Sequence, residues 1–160
     1  MLSLNLDNEF FNKKIIVTGA SRGLGAKTCK ELALRGAKIA MLSRSKMTTD
    51  KIKKTMKNPD EHISIKVDLL KSNSLGLAVQ RAKKFLKEID IVIHIAGGGY
   101  GLKNSLIKSS DLKKLFQVNL GAAVEINKHV VEFKKRKKNL KLIHVGSIAS
   151  NEAVGSVGYN

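Results

Sequence analysis

The strongest constraint on the fold is a glycine turn set between an apolar strand and a helix. Residues 13–18 read Lys-Lys-Ile-Ile-Val-Thr, a short β-branched run suited to a buried strand. The run passes directly into a glycine-rich turn at residues 19–25. Residues 24–35 then carry helix-forming side chains, and Gly36 stops the helix. The turn reads Thr18-Gly19-Ala20-Ser21-Arg22-Gly23-Leu24-Gly25. A pyrophosphate needs backbone N–H donors at a helix N-terminus and no side chains in its way. Gly19 suits the sharp turn, Gly23 lets backbone approach a phosphate, and Gly25 lets helix and strand pack closely. The spacing is Gly-x-x-x-Gly-x-Gly rather than the common Gly-x-Gly-x-x-Gly. A glycine triplet alone is also compatible with a plain tight turn. Its position between strand and helix points to nucleotide binding.

The rest of the chain repeats the same alternation. Apolar strands are expected at residues 37–42, 63–67, 91–95 and 140–145. Between them lie expected helices at residues 46–57, closed by Asn58-Pro59, and from Ser72 or Ser74 as cap. In the latter, Leu75, Ala78, Val79, Ala82, Phe85, Leu86 and Ile89 follow the spacing of one buried face. A long helix is expected from Ser110 or Asp111 to about Lys135. Continuous apolar strands imply a sheet covered on both faces, hence a doubly wound α/β fold with a parallel sheet. The expected strand order is 3-2-1-4-5, with the fifth strand as an apolar edge that invites aggregation.

Composition narrows the class. The 160 residues are 42% hydrophobic and 27% charged, ordinary globular usage that excludes a disordered chain. The apolar runs are too short to cross a bilayer, and the first ten residues carry Asp7 and Glu9 without a basic region, unlike a signal peptide. The lone Cys29 excludes an internal disulfide and suits the cytoplasm. The net charge of +17 raises the question of an acidic partner such as nucleic acid. Its densest cluster, residues 134–138 (Lys-Lys-Arg-Lys-Lys), falls where the long helix should end, where cations suit the helix dipole. No aromatic residues interleave it as stacking platforms, so a nucleic-acid partner is not expected. His94 reads as a satisfied core histidine. His62, His129 and His144 show no ligand spacing, and no metal site is proposed.

From Lys13 to the last residue the motifs resemble those of the short-chain dehydrogenase/reductase family. Thr-Gly-Ala-Ser-Arg-Gly-Leu-Gly is similar to its cofactor motif, which assigns Gly19, Ser21, Arg22, Gly23, Leu24 and Gly25 to cofactor binding. Asp68 matches the acid that contacts adenine. Ala96-Gly97 matches the end of the family's Asn-Asn-Ala-Gly motif, with His94-Ile95 in place of the two asparagines. Asn119 matches the active-site asparagine, and Ser147 the catalytic serine. Tyr159, twelve residues past Ser147, matches the catalytic tyrosine. The resemblance implies a Rossmann-type NAD(P)-binding domain over residues 1–160, incomplete at its C-terminus. The tyrosine belongs to Tyr-x-x-x-Lys, and that lysine would stand at position 163, beyond the 160 residues.

The implied chemistry is hydride transfer between a nicotinamide and a carbonyl or alcohol carbon of a small molecule. Tyr159 would serve as acid/base, Ser147 would hold the substrate oxygen, and Asn119 would hold a water relay. A free tyrosine has a pKa near 10, and a neighbouring lysine lowers it. Lacking that lysine, this stretch is expected to be a partial or inactive form. The alternative is a non-catalytic NADP-binding module acting through a partner. NAD-selective sites carry an acid after the second strand. Here Ser43-Arg44-Ser45 stands in that place, and Arg44, with Arg22, can pair with a 2′-phosphate. NADP(H) is therefore expected over NAD(H). The family's use of its long helix as a subunit interface implies a homo-oligomer.

Overall fold

A computed structural model of the chain describes residues 8–102, 106–133 and 139–147. Strand and helix alternate from the start. β1 (Lys14–Thr18) leads through the glycine turn into α1 (Gly23–Leu34). β2 (Lys38–Ser43) is followed by α2 (Lys46–Lys53) and a 3-10 turn at Pro59–Glu61. β3 (Ile63–Lys66), α3 (Ser72–Leu86) and β4 (Ile91–His94) come next. α4 (Ser109–Phe116), a π-helical turn (Gln117–Gly121) and α5 (Ala122–Glu132) then run without a break into one another, and β5 (Lys141–His144) closes the sheet. All four strand pairings are parallel, in the order β3-β2-β1-β4-β5. This is the doubly wound, Rossmann-like architecture expected from the alternation.

Period-two alternation along the strands divides the core into two layers. Ile16, Ala40, Leu42, Ile65 and Val92 face α3 and α5, meeting Leu75, Val79, Ala82, Ile126 and Val130. Ile15, Val17, Ile39, Met41 and Ile93 face the opposite way, toward Cys29, Leu32 and Ala33 of α1 and toward Met56. Each fully buried aliphatic side chain contributes roughly 1.5–3 kcal/mol. β1 and β2 are covered on both faces, which is why their sequences are continuously apolar. At the opposite end of these strands, the Asp90 carboxylate accepts from the Lys14 N–H at 2.9 Å. Its backbone bonds to both Lys14 and Lys141, tying β4 to β1 and β5.

Several expectations need correction. α2 ends at Lys53, because the Thr55 and Met56 N–H groups bond three residues back and tighten the chain out of the helix. Neither Ser72 nor Ser74 caps α3. Lys71 holds the cap position, and Ser74 Oγ turns back toward the Lys71 and Asp68 carbonyls at 2.7 and 3.0 Å. Phe85 is 38% exposed, while Leu86 takes the core position. The long helix starts at Ser109 behind Lys108, with Asp111 in its first turn paired to Lys114 at 3.1 Å. It widens at the π turn without breaking, a feature that the spacing of apolar residues did not reveal. β5 is the expected edge, with all four residues exposed. The basic cluster at 134–138 lies outside the described residues.

Candidate functional site

The strand order reverses between β1 and β4, since β2 and β3 lie on one side of β1 and β4 and β5 on the other. In open parallel sheets that switch point, at the carboxyl ends of the strands, is where a crevice forms. The glycine turn occupies this end of β1. Gly19 has φ +71°, and a Cβ there would come within 2.8 Å of the Ala96 N. The turn is thus pressed against the loop after β4, and no other residue fits. Gly25 is buried in the first turn of α1, where a Cβ would collide with the Gly19 carbonyl. Gly23 differs from both. It has φ +50°, and a Cβ there would meet nothing within 4 Å, so the space beside it is open.

The helix behind this turn is suited to an anion. Arg22 holds the N-cap position of α1 in extended conformation, without a capping side-chain hydrogen bond, and no acid stands in the first turn. The N-terminal N–H groups and the positive end of the helix dipole face the open side of Gly23. Arg22 and Leu24 are exposed there and Ser21 is half-buried.

Thr18, which sequence reading treated only as part of the motif, is 1% exposed and braces the two halves. Its Oγ1 accepts from the N–H groups of Ile95 and Ala96 at 3.2 and 3.3 Å. This hydroxyl ties the loop after β4 to the end of β1 where Ile95 carries no side-chain amide to do so. Farther along the loop, the Asn119 side chain grips Gly98 twice. Its Oδ1 accepts from the Gly98 N–H at 2.8 Å, and its Nδ2 donates to the Gly98 carbonyl at 3.2 Å and the Leu115 carbonyl at 2.9 Å. The π turn at Gln117–Gly121 centres on Asn119 and places this amide at the loop. A Cβ on Gly97 would fall 2.7 Å from Asn119 Oδ1, so a larger residue there would displace this amide from Gly98.

The remaining candidates lie along the same end of the sheet. Arg44 follows β2, is exposed, and places its guanidinium carbon over the Tyr100 ring, 5.7 Å from the centroid. Asp68 follows β3. Its Oδ1 accepts from the Leu70 N–H at 3.1 Å, and the Val67 N–H donates to the Ser43 carbonyl at 2.9 Å, joining this loop to the Arg44 segment. Ser147 follows β5, two residues after Val145, whose N–H donates to the His94 carbonyl at 3.0 Å. Tyr159 lies outside the described residues. The structure therefore gathers Gly19, Gly25, Ala96, Gly97 and Asn119 in direct contact, with Arg44, Asp68 and Ser147 at neighbouring strand ends.

His94 is a partnered core histidine, as expected. Its Nε2 meets Asn127 Oδ1 at 2.9 Å and its ring stacks on His144 at 4.6 Å. Burial holds it below the usual imidazole range. Burial likewise pushes the Cys29 thiol up to about 12, leaving it an inert core group. Among the described residues no three His, Cys, Asp or Glu side chains come together as a metal set. No helix of these residues is long and apolar enough to cross a membrane. A surface hollow of about 500 Å³ lies over Leu112, Lys113, Phe116 and Gln117. It shares no residue with the glycine turn and belongs to an exposed apolar row of Leu112, Phe116, Leu120, Val124 and Val131.

Sequence reading missed Thr18, Tyr100 and the His94–Asn127–His144 cluster. The position of Thr18 at the last strand residue was a usable signal. Tyr100, which follows a run of three glycines, offered none.

Comparison with known proteins agrees with this geometry. The sequence model of the family described as short chain dehydrogenase matches residues 13–159. Ketoacyl reductase HetN of Nostoc sp. is 26% identical over 143 residues, covering 89% of this chain and 50% of that protein. A 7α-hydroxysteroid dehydrogenase, solved with NADH and 7-oxo glycochenodeoxycholic acid, superposes with a TM-score of 0.87 at 19% identity, covering 99% of this chain and 62% of that one. A short chain dehydrogenase from Burkholderia cenocepacia J2315, solved with NADP, superposes at 0.81 with 21% identity, covering 93% and 61%. The chain spans about half the length of the curated relatives it matches.

Proposed function

The chain belongs to the short-chain dehydrogenase/reductase family, and from that premise we propose that it is the nucleotide-binding part of an NADP(H)-dependent oxidoreductase acting on a small carbonyl or alcohol. The solved relatives include one with NADH and one with NADP, so cofactor choice rests on this chain's own residues. The observation that carries the reading is Arg44, an exposed guanidinium standing directly after β2, where an NAD-selective site has an acid. A carboxylate there would repel a 2′-phosphate. A guanidinium forms charge-assisted, bidentate hydrogen bonds with it.

The site fits the proposed nucleotide. Gly19 and Gly25 leave no room for side chains, and the side of Gly23 is open to a phosphate. The uncapped N-terminus of α1 offers N–H donors for the pyrophosphate. Arg22 adds a cation, and Asp68 takes the adenine side. Ala96 and Gly97 form the floor beneath the nucleotide. A nicotinamide held there would supply hydride to the substrate carbon or accept it from that carbon. Ser147 orients the substrate oxygen by hydrogen bonding, and Tyr159 exchanges its proton as general acid/base. Asn119 anchors the loop after β4 through Gly98.

The catalytic step is assigned to the whole protein, and residues 1–160 alone are expected to bind nucleotide without enzyme-like turnover. The exposed row from Leu112 to Val131 is assigned to a subunit interface. The buried thiol of Cys29 is compatible with a reducing cytoplasm.

The test is titration of NADPH and NADH into the protein and its Arg44→Asp variant, with turnover assayed on a panel of ketones. The reading expects tighter NADPH binding, reversed in Arg44→Asp, and turnover abolished by Tyr159→Phe. Tighter NADH binding by the unaltered protein would reject the cofactor assignment.

A further inference from the structure

Tyr100 carries an observation that the proposed function does not use. It sits at φ +55° and Gly101 at φ +72°, while the Leu102 N–H donates to the Gly99 carbonyl at 3.0 Å. Positive φ at both central residues is the pattern of a type I′ turn, whose first central position favours Asn, Asp or Gly. A bulky aromatic there is strained, and such outliers persist where surrounding structure holds them for a purpose. The strained turn is fixed from behind, because Asn119 clamps both backbone groups of Gly98.

The ring's contact is with Arg44, at 5.7 Å from guanidinium carbon to ring centroid. Arg44 has a fixed backbone and an exposed head. Ser43 Oγ donates to the Ser45 carbonyl at 2.9 Å, and Ser45 Oγ caps α2 by accepting from the Thr48 N–H at 3.3 Å. The two residues reach each other from opposite sides of β1, one behind β2 and the other behind β4. Their contact therefore spans the carboxyl end of β1, above the glycine turn. A guanidinium held over a ring by its charge keeps N–H donors for the oxygens of a phosphate. A free arginine on a surface loop would lose rotamer freedom on gripping a phosphate. A ring-held one has already lost part of it.

Resting on the reading of Arg44 as the 2′-phosphate residue, we propose that Tyr100 is a positioning residue for cofactor choice. Its ring holds the Arg44 guanidinium at the adenosine end of the site and so raises preference for the 2′-phosphorylated nucleotide. Tyr100 touches Arg44 and leaves the reacting atoms alone.

The probes are adenosine 2′,5′-bisphosphate and adenosine 5′-monophosphate, which differ by the 2′-phosphate alone. The readout is the ratio of their dissociation constants. Tyr100→Asn removes the ring and tolerates positive φ, so folding is preserved and the melting temperature is expected to hold or rise. Its preference for the bisphosphate should fall about three- to fivefold, the scale of an exposed cation–π contact, with monophosphate affinity unchanged. Tyr100→Phe keeps the ring and should keep the ratio. Arg44→Ala should lower the ratio at least as far as Tyr100→Asn does. An unchanged ratio in Tyr100→Asn beside a lowered one in Arg44→Ala overturns the role of Tyr100 alone. An unchanged ratio in Arg44→Ala overturns the cofactor reading and this inference with it. An equal loss of both probes in Tyr100→Asn would show a general loop defect and also overturn it.

Discussion

The two halves of the sheet meet at β1 and β4 but are held together by different means. At the end of β1 the turn is specified by what is missing: Gly25 packs on the Gly19 carbonyl and Gly19 on the Ala96 backbone, with no room for a Cβ at either. On the β4–β5 side, side chains do the joining. Thr18 reaches the Ile95 and Ala96 N–H groups, Asn119 clamps Gly98, and Asn127 bridges His94 at 2.9 Å and His144 at 3.4 Å. β2 is buried along nearly its whole length, whereas β5 is exposed throughout. Steric exclusion yields a turn with one solution. Polar joints yield a loop that can be adjusted at individual residues.

The largest effect should come from breaking the sterically defined half. Gly25→Val drives a branched side chain into the Gly19 carbonyl, a clash with backbone that cannot be relieved by a rotamer. We expect a loss of roughly 3 kcal/mol or more in stability, read as a lowered denaturation midpoint, together with loss of NADPH binding. Near-normal folding and binding would show that the turn is softer than described.

Asn119→Ala tests the polar half and should be milder for the fold. It removes three hydrogen bonds, to the Gly98 N–H and to the Gly98 and Leu115 carbonyls. A cost of about 1–3 kcal/mol follows. NADPH affinity should change by less than about tenfold, since one loop contact corresponds to about 1.4 kcal/mol or less, while turnover of the whole protein collapses. A loss of binding as complete as that of Gly25→Val would erase the contrast between the halves.

The smallest effect is a pH dependence that the two halves share. His62 accepts the Ile39 N–H on Nδ1 at 3.2 Å, so its Nε2–H donates to the Lys57 carbonyl at 2.8 Å. Burial holds both His62 and His94 below the ordinary imidazole value of 6.5. The unfolded chain therefore takes up protons first. Stability is complete above that value and falls as pH drops through it toward the lower folded-state values. The melting temperature should decline by a few degrees between about pH 7 and 5. His62→Gln should lower stability at pH 7 and flatten the decline. A melting temperature independent of pH over that window would contradict the burial of both neutral rings.

Most of the scaffold was legible because burial on both faces leaves a continuous apolar signature, as in Ile15, Ile16 and Val17. The glycine turn was legible because the absence of a side chain is itself a sequence signal. What stayed hidden depends on long-range pairing. The π turn leaves no mark in the local spacing of Leu115, Val118 and Ala122, and it contains Asn119, whose partner Gly98 lies 21 residues earlier. The failed serine caps reflect competing acceptors: the Asp68 and Lys71 carbonyls take the Ser74 hydroxyl, and the Glu125 carboxylate takes that of Ser72. Tyr100 could be recognised only when the sheet order brought it to Arg44.

If the crevice over the glycine turn, with Arg44 at its rim, takes a 2′-phosphorylated dinucleotide, backbone hydrogen exchange with and without saturating NADPH will report it. NADPH is expected to protect residues 19–26, 43–45 and 96–98, with the 43–45 segment less protected when NADH replaces it. Protection centred instead on the exposed row of Leu112, Phe116 and Leu120, or none at residues 19–26, would contradict this reading.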